Sequence, residues 1–316
     1  MSGCCNSDPR RTSFMWLELT GACQLECVHC YAGSSPQGNH GTMGEADWLH
    51  VIDQGADNGL EKLQFIGGEP TAHPAFVVLL NHALGRGIQV EVYSNLFVLM
   101  PKVLDALRQP GVMVATSYYS ASATVHDAVT TKRGSHARTR SNIIKLVELG
   151  VPLRVGLVEM PNGNETAATI DDLVSIGVDR QQISSDRVRE IGRGGKQTQA
   201  SLDELCGQCG LSSAVVLPDG NVYPCVFSRW MEPVGNVLLQ PLTEIVNGQP
   251  LQQVRDTVNG HFFNLTSKEI SQLPGGSRSD QLVRVGGPQG LCDPIYCDPN
   301  IKCKPTGGTC NPDYGR

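Results

Sequence analysis

Hydrophobic and polar positions along residues 14 to about 190 alternate between short apolar runs and longer stretches in which apolar residues recur at helical spacing. Strand-like segments, most of them such runs, predict six strands at residues 15–19, 62–66, 88–93, 112–117, 153–158 and 182–188. The longer stretches predict helices at residues 45–58, 73–86, 99–108, 138–149 and 165–176. In the fourth helix Ile143, Leu146 and Val147 share one face, and Gly150 and Pro152 end it.

Regular alternation of strand and helix predicts parallel strands joined by right-handed crossovers. Six units are too few for a closed eight-unit barrel, so the expected α/β fold is a partial, open (βα)6 TIM-like barrel, with a doubly wound sheet as the alternative. Both architectures place their sites at the carboxyl ends of the strands. Polar or glycine residues at those ends are therefore candidates for chemistry.

The alternation stops at a glycine-rich stretch, residues 192–200. Beyond it, Asp219-Gly220 predicts a hairpin between residues 214–217 and 222–223. Residues 265–290 are rich in Ser, Gly and Gln and indicate a loose insertion. The expected organisation is a tail at 1–13, the barrel at 14–192, a linker at 193–204 and a small cysteine-rich domain at 205–316.

Composition narrows the class of protein. The chain has 316 residues, 40% hydrophobic and 18% charged, as expected for a packed globular protein. Its net charge is −6 and no basic stripe is present, so nucleic acid is not an expected partner. The start of the chain has no signal-peptide core, and no window reaches the length of a membrane span, so no membrane partner is expected and the predicted location is cytoplasmic.

The twelve cysteines fall into two groups. Five lie in the first 30 residues, seven lie from Cys206 onward, and residues 31–205 contain none. Such clustering in a reducing compartment favours metal binding or catalysis over disulfides. Cys4 and Cys5 precede the first strand and are interpreted as free thiols on the tail, with a small role in metal binding left open.

The early group contains the run C-x3-C-x2-C at Cys23, Cys27 and Cys30, followed by Tyr31. A four-iron cluster needs one ligand per iron, so three thiolates leave one iron open. A structural zinc site with His29 as the fourth ligand is the alternative. The pattern resembles the signature of radical S-adenosylmethionine (SAM) enzymes, which implies that the open iron binds SAM beside Tyr31.

Further motifs at strand ends extend the resemblance. Gly67-Gly68-Glu69 follows the second strand, where the family contacts the methionine ammonium of SAM; a simple tight turn is the alternative. Ser94 and Asn95 end the third strand and are implied to contact the SAM ribose. Ser117 ends the fourth and is implied to lie near the SAM carboxylate, and strand-end capping is the alternative for both serines.

One position departs from this family pattern. The family often has an arginine after His126-Asp127, and Thr130 occupies that position here. Three arginines remain open as replacements: Arg133, Arg138 and Arg154.

The late cysteines resemble those of a SPASM domain, an extension that binds auxiliary iron–sulfur clusters. The resemblance implies that one cluster is held by Cys206, Cys209, Cys225 and Cys310, and a second by Cys292, Cys297 and Cys303. Seven thiolates are one short of two complete sets, so one iron is open, has another ligand or belongs to a site that does not assemble. Zinc remains the alternative for the C-x2-C pair near the hairpin.

Together the motifs imply a radical SAM enzyme of the SPASM type. Such an enzyme takes one electron from a donor such as flavodoxin or ferredoxin, cleaves SAM to a 5′-deoxyadenosyl radical and abstracts hydrogen from an unactivated C–H bond, while auxiliary clusters accept or relay an electron. The expected substrate is a ribosomally made precursor peptide that undergoes oxidative cross-linking, cyclisation or another side-chain modification. The alternatives are a dehydrogenase or dehydratase of a sugar or nucleoside, and a non-catalytic iron–sulfur or zinc protein.

Recognition of a peptide needs a surface beyond the barrel. Only 13 residues precede the first strand, which leaves no room for a fused leader-peptide domain in this sequence. A separate recognition protein, or recognition through residues 230–290, is therefore expected.

Overall fold

The structure is a computed structural model that describes residues 12–160, 165–195 and 200–263. All six predicted strands are present within a residue or two of their predicted bounds: β1 Phe14–Glu18, β2 Lys62–Ile66, β3 Gln89–Tyr93, β4 Val112–Ser117, β5 Leu153–Glu159 and β6 Ile183–Arg187. Three further strands follow in the second part of the chain: β7 Ser213–Val216, β8 Asn221–Tyr223 and β9 Gly235–Asn236. The predicted hairpin at Asp219-Gly220 is confirmed as the turn between β7 and β8.

The five predicted helices are also present, as α1 Glu45–Asp57, α2 Phe76–Gly85, α3 Pro101–Leu107, α5 Ser135–Glu148 and α6 Thr166–Ser175. α2 begins three residues later than predicted because Pro74 forces His73 into an extended conformation, with ψ +131°. Three helices were not predicted: α4 Ala123–Thr130, α7 Leu242–Val246 and α8 Gln249–Phe263. α4 has only eight residues and several β-branched side chains, so its local preference for helix is weak.

One sheet runs through both parts of the described chain, in the strand order β6-β5-β4-β3-β2-β1-β7-β8-β9. The strands from β6 to β7 are parallel, and β8 and β9 add antiparallel edges. β7 pairs directly with β1, from Phe14 opposite Ser213 to Leu17 opposite Val216. The stretch at 193–204 therefore connects two parts of a continuous sheet.

The two faces of this sheet differ in composition. Met15, Leu63 and Val90 point outward and pack against Trp48 and Leu79 in the main hydrophobic core. The alternate positions point to an inner face that carries charged and polar groups, including Glu18, Gln64, Glu91 and Arg154. Inner residues from β2 to β6 line a single cavity, which a curved partial barrel provides and a flat doubly wound sheet does not. The predicted partial barrel is confirmed.

Several expectations lie outside the described residues: the tail up to residue 11, the insertion at 265–290 and the last four cysteines, Cys292, Cys297, Cys303 and Cys310. Within the described ranges, no helix is both long enough and apolar enough to span a membrane.

Candidate active site

The three early cysteines lie on a loop that begins directly after β1 and is anchored at both ends. The amide of Cys23 donates to the Ser35 carbonyl at 3.0 Å. Further along, the amide of Val28 donates to the Val129 carbonyl at 2.9 Å, and that of Glu26 donates to Thr130 at 3.2 Å. Val129 and Thr130 form the last turn of α4. This helix, which the sequence did not predict, therefore fixes the position of the cysteine loop.

A second anchor comes from the start of the predicted linker. Arg193 donates from Nε to the Cys27 carbonyl at 2.8 Å, from Nη2 to the Ser34 carbonyl at 2.5 Å, and from its amide to the Cys30 carbonyl at 3.0 Å. Gly192 has φ +57°, and a Cβ at this position would overlap the carbonyls of Cys30 and Tyr31. Residues 192–193 are thus part of the site. The glycine-rich pattern was interpreted as a linker because the sequence alone does not show which residues this segment contacts.

All three cysteines line the inner cavity. Burial raises the pKa of Cys23 to about 12 and that of Cys27 to about 12. Both are protonated near neutral pH in the metal-free protein, so a metal that binds them must displace their protons.

The side chains of the three cysteines and His29 are not gathered around one point. Among the described residues, no three His, Cys, Asp or Glu side chains are close enough to share one metal ion. A zinc ion held by the three cysteines and His29 therefore has no support in this geometry. A four-iron cluster binds each thiolate to a different iron, so the sulfur atoms need not surround one point.

The two glycines after β2 form a close wall beside the cysteine loop. The amide of Gly68 donates to the Thr20 carbonyl at 2.6 Å, and the amide of Glu69 donates to the Ala22 carbonyl at 2.9 Å. Gly67 has φ +150°, and a Cβ on Gly68 would overlap the Ala22 carbonyl oxygen. Both glycines line the cavity, so their backbone is open to a ligand and has no room for a side chain.

Glu69 and Ser94 lie behind this wall and do not line the cavity. The carboxylate of Glu69 accepts hydrogen bonds from the Ser94 hydroxyl at 2.9 Å, the Thr71 hydroxyl at 2.6 Å and the Asn95 amide at 2.8 Å. Burial raises the pKa of Glu69 despite these donors. In this structure the two residues join the ends of β2 and β3, and a direct contact of either with SAM stays a prediction.

Asn95 lines the cavity and is directed at the cysteine loop. Its Nδ2 donates to the Cys23 sulfur at 3.4 Å and to Gln24 Oε1 at 3.1 Å. Its Oδ1 accepts from the amide of Phe97 at 2.8 Å. The side chain predicted to contact the ribose thus also touches one of the candidate cluster ligands.

The turn that holds Asn95 contains a strained residue. Leu96 has φ +52°, a left-handed conformation that L-residues other than glycine rarely adopt. Its side chain is fully buried, its amide donates to Ser94 Oγ at 3.1 Å, and its carbonyl accepts from Asn142 Nδ2 at 2.7 Å. Packing and hydrogen bonds therefore hold the strained backbone in place.

Because of this strain, we expect a glycine variant at Leu96 to be at least as stable as an alanine variant, which is the reverse of the usual order. Leu96→Ala should cost about 2–5 kcal/mol of unfolding free energy through lost packing. Leu96→Gly loses the same packing but relieves about 1–2 kcal/mol of left-handed strain, so it should be at least as stable as Leu96→Ala. Urea unfolding of the two variants measures the difference.

Ile143 provides the control, because it is equally buried but lies in the interior of α5. There the glycine variant should be less stable than the alanine variant by about 1 kcal/mol. The same order at both positions would mean that Leu96 carries no backbone strain.

Three side chains with hydroxyl groups lie at the carboxyl ends of β3 and β4 and line the cavity. Tyr93, Ser117 and Tyr119 all line it, and the Tyr93 hydroxyl lies 2.9 Å from Ser117 Oγ. Ser117 is hydrogen-bonded in turn to Tyr119, whose hydroxyl lies 3.9 Å from the Cys27 sulfur. The predicted SAM residue Ser117 is therefore placed at the cavity, and Tyr119 was missed because the sequence Ser-Tyr-Tyr does not tell which tyrosine faces inward.

The arginines that line the cavity are not the three that the sequence offered as replacements for the family's arginine. Arg154 is buried and bonded through Nε and Nη2 to Glu91, 2.8 Å for each contact, below the cavity floor. Arg138 is exposed and lies over the Phe97 ring, and neither it nor Arg133 lines the cavity. Instead Arg187 and Arg189, at the end of β6, contribute the positive charge, with Arg189 paired to Asp186 at 2.9 Å.

His126 and Asp127 support the fold around the cavity. Asp127 accepts from the amides of Gly134 at 2.6 Å and His136 at 2.9 Å, which caps the start of α5. His126 lines the cavity, and burial lowers its pKa to about 4, so it is neutral. Thr130, at the position where the family often has arginine, also lines the cavity and lies 2.6 Å from Ser135 Oγ.

Tyr31 links the cysteine loop to the second part of the chain. Its ring meets Phe227 edge to face at 5.3 Å, and the Arg229 guanidinium lies 5.1 Å from the ring centre. Arg229 also pairs with Glu18 of β1 at 2.6 Å. The aromatic residue next to Cys30 therefore lines the cavity and lies in the contact between the barrel and the segment after β8.

Of the late cysteines, three are described. Cys209 and Cys225 are buried, and their mutual hydrogen bond lowers the pKa of Cys225 against the effect of burial. Cys206 is disulfide-bonded, and its role as a ligand of an auxiliary cluster stays a prediction.

Comparison with known families gives two matches. Residues 17–175 match the radical SAM superfamily, and residues 206–269 match SPASM, an iron–sulfur cluster-binding domain. A radical SAM domain binds a [4Fe-4S] cluster and SAM, and a SPASM domain binds auxiliary iron–sulfur clusters. The matched regions contain Cys23, Cys27 and Cys30 in the first and Cys206, Cys209 and Cys225 in the second.

Individual relatives are more distant. The antilisterial bacteriocin subtilosin biosynthesis protein AlbA of Bacillus subtilis is 26% identical over 268 residues, 73% of this chain and 58% of that protein. A PqqA peptide cyclase of Streptomyces rochei is 25% identical over 271 residues, 73% of this chain and 74% of that protein. This chain spans about half the length of the first curated relatives that it matches.

Among solved structures, SuiB of Streptococcus suis bound to S-adenosylmethionine has the same fold. The TM-score is 0.66 over 87% of this chain and 72% of SuiB, at 14% sequence identity.

Proposed function

Because this chain belongs to the radical SAM superfamily and carries a SPASM domain, we propose that it modifies a ribosomally made peptide by hydrogen abstraction from an unactivated C–H bond. The observation that carries the proposal is the convergence of Cys23, Cys27 and Cys30 on one cavity at the carboxyl ends of the barrel strands. Its wall includes two glycines whose backbone alone faces the space.

The residues of the cavity fit the implied cofactors. Three partly buried cysteines that line one cavity suit a cluster with one thiolate on each of three irons. Gly67 and Gly68 form a cradle for the methionine end of SAM, next to the cysteine loop. When bound, the cluster and SAM supply the reductive cleavage that generates a 5′-deoxyadenosyl radical.

The protein's own contribution is to bind, orient and exclude water. Arg193 and α4 fix the cysteine loop through five backbone contacts, which sets where SAM would lie. Asn95 and Ser117 present polar side chains from neighbouring strand ends toward the same space. Tyr31, Phe227 and Leu25 add apolar wall to the cavity.

The choice of a peptide substrate is supported by the relatives. One is by name a bacteriocin biosynthesis protein and another a peptide cyclase. A SuiB structure of the same fold was solved with the precursor peptide SuiA. We further propose that a separate protein recognises the leader of the substrate, and that a flavodoxin or ferredoxin delivers the electron.

Anaerobic reconstitution with iron and sulfide, followed by dithionite and SAM, tests the first half of this proposal. Chromatography should detect 5′-deoxyadenosine in the complete reaction and not when dithionite is omitted. Protein that loses about four irons per chain on Cys27→Ala, and that forms none of this product in its unmodified form, would refute the enzyme activity.

A candidate precursor peptide tests the second half by mass spectrometry. A loss of two hydrogens indicates oxidation or a cross-link, whereas an increase only in deuterated water indicates epimerisation. If SAM cleavage is stimulated by a sugar or nucleoside and not by any peptide encoded beside the gene, the substrate proposal is wrong while the radical chemistry stands.

A further inference from the structure

Tyr119 is held in a fixed position beside one candidate cluster ligand. Its side chain is 7% exposed, and its ring packs against His29 at 5.0 Å and His126 at 5.2 Å between centroids. Its hydroxyl lies 3.9 Å from the sulfur of Cys27, within reach of an O–H···S hydrogen bond. Rings on two sides leave the hydroxyl little freedom to turn elsewhere.

The charge state of Cys27 fixes the direction of this hydrogen bond. Tyr93 contacts Ser117 at 2.9 Å, and Ser117 contacts Tyr119, so three hydroxyls form a chain that ends at Cys27. Each hydroxyl has one proton to donate. A cysteine that ligates iron is a thiolate and can only accept, so the proton at the end of the chain must come from Tyr119.

We propose that Tyr119 donates a hydrogen bond to the thiolate of Cys27 and thereby raises the reduction potential of the cluster held by Cys23, Cys27 and Cys30. The reduced cluster carries one more negative charge than the oxidised cluster, and a donor at sulfur stabilises the more negative state. One electron enters from an external reductant, and no bond in the protein forms or breaks. This inference rests on the proposed function, because it needs the cluster at these cysteines.

The adjacent tyrosine offers a matched control. Tyr118 is also buried, but its hydroxyl contacts His136 Nε2 at 2.7 Å and Asp172 at 2.8 Å and makes no hydrogen bond with the cysteine loop among the described residues. Tyr118→Phe therefore removes the same atom from the neighbouring residue without touching Cys27. Tyr93 is one step further along the chain, so Tyr93→Phe should have a smaller effect than Tyr119→Phe.

The test is a redox titration without SAM, followed by electron paramagnetic resonance of the reduced protein. The signal of interest is the one that Cys27→Ala removes. At a fixed applied potential, Tyr119→Phe should lower the ratio of reduced to oxidised cluster about tenfold, which equals 59 mV for one electron. Tyr118→Phe should leave the ratio as in the unmodified protein.

Substitution of 3-fluorotyrosine at position 119 tests the opposite sign. It keeps the ring and the hydroxyl but makes the hydroxyl a stronger donor, so the potential should rise. It also covers the case in which Tyr119→Phe fails to assemble the cluster. A titration in which neither change at 119 moves the potential relative to Tyr118→Phe overturns the inference.

These outcomes are separate from failure of the proposed function, since the potential is read in protein that contains no SAM. If the cluster is intact and its reduction potential does not change with the substitutions at Tyr119, only the inferred hydrogen bond is wrong. Absence of the signal that depends on Cys27 defeats the cluster assignment itself.

Discussion

Alanine in place of Cys23, Cys27 or Cys30 is expected to reduce 5′-deoxyadenosine formation to the level of a protein-free control. Each variant removes one of three thiolates from a cluster that already lacks a protein ligand on its fourth iron. The three side chains line the same cavity, and among the described residues no other cysteine does. No neighbouring thiol in that part of the chain can replace the missing one.

Iron content distinguishes loss of this cluster from general damage. Each variant should lose about four iron atoms per chain and keep the iron of the SPASM region. Cys5→Ala, the same chemical change in the tail, should retain both iron and product. Full activity in any one of the three variants would contradict the assignment of the ligands.

The second large effect is a loss of stability on substitution of Glu91, which lies below the cavity floor and neutralises two cations. Its carboxylate accepts two hydrogen bonds from Arg154 at 2.8 Å and lies 3.7 Å from the Lys62 ammonium. Burial alone would raise the pKa of Glu91, but the Arg154 and Lys62 charges outweigh it and lower the pKa to about 2. Glu91 is therefore charged at all working pH values.

Glu91→Ala should lower the unfolding free energy by about 3–5 kcal/mol, because it leaves the Arg154 guanidinium buried without its carboxylate. Urea unfolding measures this change. The double variant Glu91→Leu with Arg154→Met removes both charges and should recover most of the loss. If the double variant is as unstable as the single one, lost packing and not an unpaired charge explains the effect.

Much of the fold follows from local patterns in the sequence. β1 to β5 are short segments rich in apolar residues, and the five predicted helices show apolar residues at helical spacing, so both signals are visible without tertiary information. β6 has a single apolar residue, Ile183. The helix at α4 is different. Its residues favour helix only weakly, and its last turn is stabilised by contacts to residues 26–28, about 100 positions earlier in the chain.

Pairing of β7 with β1 could not be read from the sequence for a related reason. Residues 213–216 form an apolar run next to a hairpin signal, which indicates strand but not its partner. The register that joins Phe14 to Ser213 depends on the closure of a loop of nearly 200 residues. Local propensity carries no information on such a contact.

The candidate site divides in the same way. Gly67, Gly68, Asn95 and Ser117 are found because they stand at strand ends, where parallel sheets place their sites. Arg193 and Tyr119 were missed because their contacts with the cysteine loop arise from distant parts of the chain. Arg187 and Arg189 also end a strand, so attention to the sixth strand end would have found them.

The central claim is that the cluster held by Cys23, Cys27 and Cys30 has a fourth iron open to SAM, and its most direct test is electron–nuclear double resonance of the reduced protein. SAM carrying nitrogen-15 in its amino group serves as the probe. The account predicts a nitrogen-15 coupling in the unmodified protein and none in Cys27→Ala. A reduced, fully iron-loaded protein that binds labelled SAM without this coupling would contradict it.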